Sequence, residues 1–534
     1  MTNPEKLKEV LTFFIGTPPN TQNHSINVIM SDSEFIKTSL GDKELHPHQV
    51  TAVCWMMERE LDKDAPGGML CDEMGLGKTM STIGLLINAP VKSTLILGPL
   101  AVLRQWVRAI LPTGCAVYTM EKSKWKLEGG NPLKGRVFVT NYDKLIATPL
   151  AFASSYNRII CDEAHMIRNH KGKKFLKLKA LKRDTMWLLT GTPVVNGSYE
   201  LATLLSLLNP AIHPGSVPTL AQAENWMNKY AMCRTTHELR EILADLFPKD
   251  AIIHKHRLPF STQDEADFYR GIQGRINDQI ARIMEQDRPD MIMVLQLLMR
   301  LRQISVHPQI YINSKRRQMD TYERPDWSTD STKTEKIVQI LNDESDKSHG
   351  YVIFCNFKDE MDILAERLRR ESCVGEVFLY HGGLSAEQRS DLVIASEDAM
   401  RRVNTYGENA DAILKKAFPS AKELPLDCLN IVEGFMGPRH VVMLAQIQCA
   451  GTGVNLQHLD RVIFTTPWWT AALMDQAAGR VLRLGQTNQV VIHHVALEEE
   501  DTESINIDDY MNARVEMKRT LCNLLLDAAN HCIV

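Results

Sequence analysis

From Asp72 to Thr79 the chain reads Asp-Glu-Met-Gly-Leu-Gly-Lys-Thr, residue types that in this order suit a polyphosphate. Glycines let the backbone turn so that its N–H groups converge on phosphate oxygens, and a helix-compatible run from Gly77 adds the positive end of its dipole. Lys78 supplies a point charge for β- and γ-phosphates, and the Thr79 hydroxyl is placed to hold Mg²⁺. Asp72 stands where the strict pattern has its first glycine. Asp72, Glu73, Met74, Gly75, Leu76, Gly77, Lys78 and Thr79 are therefore candidates for binding nucleotide. A second group, Asp162-Glu163-Ala164-His165, follows the apolar run Arg158-Ile-Ile-Cys161. At the carboxyl end of a strand, Asp162 would hold Mg²⁺ directly or through water, and Glu163 would polarise an attacking water. Acids also gather at helix N-termini for dipole reasons, an account that weakens beside a phosphate cradle. Far along the chain, Gln476 to Gln486 carries Arg480 and Arg483. On a helix these two would share a face and could reach a phosphate from a separate body.

Such groups need rigid elements to hold them. Met69–Cys71, Thr94–Leu97, Val137–Val139, Ile159–Cys161 and Trp187–Leu189 are short continuous apolar runs bounded by Gly, Pro or Asp. Fully buried parallel strands read this way, with helices covering both sheet faces. A second series comprises Val352–Phe354, Val377–Leu379, Val441–Leu444, Val462–Phe464 and Val490–Ile492. The fold class is α/β, with two such domains. Helix-rich sequence rich in Met and Leu lies between them, followed by a polar stretch from Lys315 to Asp330 that suits a linker.

Composition excludes several classes. The 534 residues exceed one compact core, and 44% hydrophobic with 24% charged residues is ordinary for a globular protein. No apolar run has the length of a membrane helix, and the start lacks the layout of a secretory signal, so an intracellular chain with no membrane partner is expected. Net charge is −4, so a nucleic-acid surface must be a local patch. The eleven cysteines include no Cys-x-x-Cys pair, which argues against zinc ribbons, RING-type inserts and redox pairs. His254 and His256 could share one face of a strand as metal ligands, but no further ligand set is near in sequence. His493 and His494, adjacent in a strand-like run, would point to opposite faces. The lysines from Lys171 to Lys182 accompany Phe175, Leu178 and Leu181, a pattern that fits a solvated amphipathic helix or a phosphate-tracking surface. Trp468 and Trp469 suit packing or base stacking, and Met291–Met299 a core or interlobe helix.

The motifs together resemble the Swi/Snf-type ATPases, a branch of the superfamily-two helicases, from about His46 to Gln486. Leu45-His-Pro-His-Gln49 is similar to the opening motif, whose glutamine, here Gln49, reads adenine. Leu97–Leu100 with Gln105-Trp106, and Val139-Thr-Asn-Tyr142, resemble segments that grip the DNA backbone. Asp162 to Asn169 resembles the Asp-Glu-Ala-His block, Leu189–Pro193 the coupling motif, and Leu204–Pro210 the helix after it. Arg300–Gln303 with His307-Pro308 resembles the segment leading to the second lobe. Gly451-Thr-Gly-Val-Asn-Leu456, Pro467-Trp-Trp469 and Gln476–Gln486 resemble its last motifs. The resemblance implies two RecA-like lobes with helical insertions and the ATP site in the interlobe cleft. It adds Gln49, Gly451, Gly453 and Gln476 to the nucleotide-binding residues and gives catalytic roles to Glu163, Arg480 and Arg483. Among small members, the global transactivator-like proteins of baculoviruses are the nearest likeness in size and economy.

The implied organisation is an N-terminal extension (1–40), a first lobe (41–250), a helical insertion and linker (251–330), a second lobe (331–500) with a polar insertion at about 391–440, and a C-terminal helical segment (501–534). Val195 replaces the usual glutamine after Thr-Gly-Thr-Pro, Thr470-Ala471 the usual Asn-Pro, and Gly479 and Leu482 the commoner Asp and His. The implied activity is ATP- and Mg²⁺-dependent translocation on double-stranded DNA in transcription regulation, with transcription or chromatin proteins as partners, in the nucleus, the host's if the source is viral. A strand-separating DNA or RNA helicase and a non-catalytic DNA-binding regulator are the alternatives.

Overall fold

The apolar runs fold as strands whose side chains are buried on alternate faces, and this alternation builds two separate cores around each of two sheets. The computed structural model describes residues 39–40, 43–148, 152, 155–240, 249–286, 288–417, 439–450, 454–483, 485–498 and 506–516. Two units divide between residues 247 and 248.

The first unit holds β1 (Gly67–Leu70), β2 (Ser93–Gly98), β3 (Cys115–Glu121), β4 (Lys124–Gly129), β5 (Asn131–Asn141), β6 (Tyr156–Asp162), β7 (Arg183–Leu189) and β8 (Ala231–Met232). They form one eight-stranded sheet in the order β8-β1-β7-β6-β2-β5-β3-β4. Every pair is parallel except β3 with β4. Ile96, Ile160 and Trp187 point to the face covered by α1 (Pro47–Glu60), α2 (Lys78–Asn88) and α3 (Leu103–Ile110). Leu95, Leu97, Ile159 and Leu188 point to the other, covered by α4 (Tyr142–Ala147), α5 (Lys173–Lys179), α6 (Tyr199–Leu205) and α7 (Leu220–Tyr230). Each fully buried leucine or isoleucine contributes roughly 2 kcal/mol, so a charge at Ile160 would disrupt this sheet first at its centre. Arg158, wholly buried in β6, is held by Glu60 at the end of α1, Nε to Oε1 2.6 Å. Cys71 and Cys161 are small buried residues, as expected.

The second unit holds β9 (Ile252–Leu258), β10 (Gly350–Cys355), β11 (Val374–Tyr380), β12 (His440–Gln446), β13 (Arg461–Phe464) and β14 (Val491–Leu497) in the order β9-β14-β13-β10-β12-β11, all pairs parallel. After the helical stretch α8 (Gln263–Met284), α9 (Met291–Val306) and α10 (Pro308–Arg316), the faces are covered by α11 (Thr332–Asp343) with α12 (Lys358–Leu368), and by α13 (Ala386–Ala417) with α14 (Ala471–Ala478). Two mostly parallel sheets, each layered by helices on both faces, are the α/β fold of two RecA-like lobes.

Several expectations change. Ile252–Leu258, assigned to the helical insertion, is the edge strand β9. A strand is considered there in the sequence only for His254 and His256, and its place in the second sheet is not legible because a one-sided edge strand carries His, Lys and Arg rather than a continuous apolar run. Helices α8 to α10 and residues 507–516 share their own core around Tyr269, Ile304 and Met511. Of Met291–Met299, only Val294 is buried, while Met291, Ile292, Met293 and Leu295 are exposed. The expected polar insertion begins inside α13, and its residues 418–438 lie outside those described, as do 1–38 and 517–534. His493 stacks against both His254 and His256, while its neighbour His494 stacks on Phe464 at the opposite face. Among the described residues, no group of three His, Cys, Asp or Glu could hold a metal ion. Trp468 and Trp469 are packing anchors, with the Arg302 guanidinium 4.9 and 5.3 Å from their ring centres.

Candidate functional site

The turn after β1 and the first residues of α2 form the cradle. Gly77 is the left-handed N-cap of α2, φ +81°, and a Cβ there would fall 2.3 Å from Gln49 Nε2, so only glycine permits both the turn and the close approach of Gln49. Gln49, on the first turn of α1, is buried and donates to the Leu76 carbonyl oxygen at 3.2 Å, while its Oε1 accepts from His46 N at 3.1 Å. The expected base-reading glutamine is thus attached to the phosphate loop itself. Lys78 Nζ donates to the backbone oxygens of Asp72 at 2.6 Å and Glu73 at 3.3 Å. Met74, Gly75, Lys78 and Thr79 are half-buried along the loop, Leu76 is buried, and Glu73 is exposed. Asp72 joins the cradle by its backbone alone. Its carboxylate is fully buried and gripped by Arg234, Nε to Oδ1 2.9 Å and Nη2 to Oδ2 2.5 Å.

β6 ends at Asp162, beside the cradle. A Cβ on Gly191, in the Thr-Gly-Thr-Pro turn after β7, would lie 3.5 Å from Lys78 Nζ and 3.2 Å from Met74 Cγ, which places that turn against the phosphate loop. Burial pushes the Asp162 carboxyl up to about 6; the Glu163 charge adds to the rise, while the Trp106 hydrogen bond and the Lys78 charge oppose it. A carboxyl so placed gains from a cation. Its oxygens, like the Thr79 hydroxyl, are hard donors of the kind that suit Mg²⁺, which takes few protein ligands and completes its shell with phosphate and water. Trp106 Nε1 donates to Asp162 Oδ2 at 2.8 Å, and the Tyr142 hydroxyl to Asp162 O at 2.7 Å. Both aromatics are buried. Both belong to segments whose likeness implies a grip on DNA, and within them these two rings support Asp162, because large rings with one polar atom pack well beneath a strand end.

Glu163 follows with φ +49°, one of two non-glycine residues among those described with positive φ. Such strain in a non-glycine residue persists only where the surroundings hold it, and it collects at working sites. Its carboxylate lies 3.4 Å from His165 Nδ1, and burial pushes His165 down to about 4, leaving the ring neutral. Thr190 Oγ1 stands 3.5 Å from the same nitrogen. The buried Glu200 carboxylate binds Arg168 Nε at 3.0 Å and accepts from the backbone N–H groups of Val195 at 2.6 Å and Asn196 at 2.9 Å. It ties the segment after the acidic pair to the loop after Thr-Gly-Thr-Pro. Glu200 and Arg234 were not singled out in the sequence; the Glu200 carboxylate joins nearby Val195 and Asn196 to the distant Arg168, the partners of Arg234 lie more than 160 positions away, and neither has a local signature.

In the second unit, α14 ends at Ala478, so Arg480 and Arg483 lie in the turns after the helix rather than on it. Gly479 is its C-cap, in right-handed backbone with its N–H on the Asp475 carbonyl. Gln476 and Arg480 are buried, and the Arg480 carbonyl accepts from Leu456 N at 3.0 Å. Arg483 is half-buried, its Nε donating to Gly479 O at 3.1 Å. Gly451 and Gly453 lie outside the described residues. On α5, Phe175 and Leu178 are buried while Lys173, Lys177 and Lys179 are exposed, as are Lys171 and Lys182 beyond its ends, and Lys174 pairs with Asp143 at 2.8 Å.

The SNF2-related domain model matches residues 48–310, and the helicase conserved C-terminal domain model matches 427–485. The probable global transactivator of Orgyia pseudotsugata multicapsid polyhedrosis virus is 24% identical over 514 residues, covering 91% of this chain and 92% of that protein. The putative ATP-dependent helicase/translocase YwqA of Bacillus subtilis is 22% identical, covering 91% of this chain and 49% of the relative. The ISWI chromatin-remodeling complex ATPase ISW1 of Saccharomyces cerevisiae is 23% identical, covering 86% and 39%. The chain thus spans nearly the whole viral relative but about half or less of the other two. Among solved structures, the Sulfolobus solfataricus SWI2/SNF2 ATPase core in complex with dsDNA is 23% identical with a TM-score of 0.38, covering 92% of this chain and 95% of that one.

Proposed function

The chain belongs to the SNF2-related family, and from that premise we propose that it is an ATP-dependent translocase on double-stranded DNA. The observation that carries the reading is the meeting, at the carboxyl edge of one parallel sheet, of Lys78, Asp162 and the Gly191 turn. In this reading the N–H groups of the Gly75–Thr79 turn and Lys78 bind the phosphates, and Gln49 reads the base. Thr79 and Asp162 would hold Mg²⁺, and the chemistry the ion would supply there is charge neutralisation at the phosphoryl group. Glu163 orients and polarises the attacking water, while the neutral His165 and the Thr190 hydroxyl keep its carboxylate in place. The resemblance further gives nucleotide-binding roles to Gly451, Gly453 and Gln476 and γ-phosphate-stabilising roles in the hydrolysing state to Arg480 and Arg483, and a reaction that needed these residues as well as the cradle could drive movement along a phosphate backbone.

The relatives named for helicase, translocase, transactivation and chromatin remodelling support a place in transcription regulation or the displacement of DNA-bound proteins, with transcription or chromatin proteins as partners in the nucleus. Hydrolysis measured with duplex DNA, single-stranded DNA or RNA as stimulant tests the reading. Duplex DNA should stimulate most; stimulation by RNA alone would replace the DNA translocase with an RNA-directed enzyme, and no hydrolysis under any condition would leave a DNA-binding regulator.

A further inference from the structure

Three segments close into a ring at the phosphate loop. Arg234, 4% exposed, donates through Nε and Nη2 to the two oxygens of Asp72 and through Nη1 to the His48 carbonyl oxygen at 2.6 Å. His48 Nε2 lies 2.9 Å from Leu76 O, the oxygen that also accepts from Gln49. Leu76 and Asp72 belong to one loop, so the chain of bonds returns to its start. The segment carrying Arg234 is fastened along its length: Cys71 N to Met232 O 2.7 Å, Glu73 N to Arg234 O 2.9 Å, and Thr236 N to Glu73 Oε2 2.5 Å. A guanidinium suits this place because it is planar, always charged and able to meet a carboxylate with two parallel bonds while a third N–H points elsewhere.

We infer that Arg234 is a positioning residue that sets the spacing between the base-reading turn at His48–Gln49 and the phosphate loop, and so governs nucleotide affinity and choice of base. The inference rests on the ATP reading above. Arg234 itself touches no nucleotide in this account; it acts through His48 and Asp72. A lysine there keeps the charge but cannot make the fork and reach His48 together, so the loop keeps its counter-charge while the spacing relaxes. Because an unpaired buried Asp72 could unfold the unit, the double variant Asp72→Asn, Arg234→Gln removes both charges at once.

The test is equilibrium binding of fluorescent ATP and GTP analogues to the full chain and to both variants, with thermal melting and the KM and kcat for ATP hydrolysis alongside. Arg234→Lys should weaken the ATP analogue about tenfold, the loss of one charge-assisted hydrogen bond, and move the ATP-to-GTP ratio toward one. KM should rise more than kcat falls. A merely structural residue would change melting and the active fraction without moving the ratio. Folded variants with unaltered affinity and ratio would overturn the inference, and so would failure of both variants to fold, which would assign Arg234 to the fold alone. A parent chain that binds neither nucleotide would instead remove the ATP reading and the inference with it.

Discussion

Trp106 donates its indole N–H to Asp162 Oδ2 over 2.8 Å, joining a buried ring on α3 to the carboxylate at the end of β6. Trp106→Phe keeps the ring and deletes the donor. A carboxylate that holds Mg²⁺ and loses its supporting hydrogen bond should require about tenfold more metal, the usual scale for such supports. The Mg²⁺ concentration for half-maximal hydrolysis is the readout, with duplex affinity measured without nucleotide beside it. An unchanged metal requirement with weakened duplex binding would return Trp106 to the DNA.

Lys78→Ala and Glu163→Gln should separate binding from chemistry. The first removes the charge opposite the phosphates and should weaken nucleotide binding as well as hydrolysis. The second should bind ATP and hold it. Filter binding and single-turnover hydrolysis distinguish them, and a Glu163→Gln protein that turned over at the parental rate would show that another group activates water.

Arg480→Ala should retain ATP binding and lose roughly a thousandfold in turnover, the arginine-finger scale. Arg480 is buried and Arg483 half-buried, so the same measurement on Arg483→Ala decides which of them bears most of the effect. Nearly parental turnover in both would exclude this segment from the reaction.

Burial pushes His48, His165, His307, His458 and His493 each down to about 4. An unfolded histidine takes a proton near 6.5, so between that pH and about 4 the unfolded chain binds more protons than the folded one. Stability is therefore full above the unfolded value and falls as the solution is acidified through this window, by at most about 1.4 kcal/mol per pH unit for each group. Apparent melting temperatures between about pH 7 and pH 5 should fall steadily, and His458→Phe should lessen the slope. A flat profile would contradict the neutral burial of these rings.

The central strands were legible because fully buried parallel strands must be apolar without a break, as at Thr94–Leu97 and Val352–Phe354. The cradle and the acidic pair were legible because their chemistry fixes residue type at short spacing. Strands β3 and β4 were not singled out, and in β4, Lys124–Gly129, mixed polar residues reflect a half-exposed edge. β9 is read in the sequence only as a possible strand at His254 and His256, and its place at the sheet edge was hidden in the same way. Arg234 acquires its meaning only when the chain returns to β1 from 162 residues away, and no spacing rule reaches so far. The support that Trp106 gives Asp162 was not legible, because a segment's likeness says nothing of which way each ring points.

Movement along duplex DNA without strand separation is what distinguishes a translocase from a helicase. A machine that follows phosphates needs no base sequence, and its rate should fall as salt rises. Displacement of a triplex-forming third strand from duplex DNA, with ATP and Mg²⁺ and with a forked duplex as the parallel substrate, is the most direct measurement. The third strand should be released while the fork stays annealed. Separation of the fork with the triplex left intact would contradict the translocase and put a strand-separating helicase in its place.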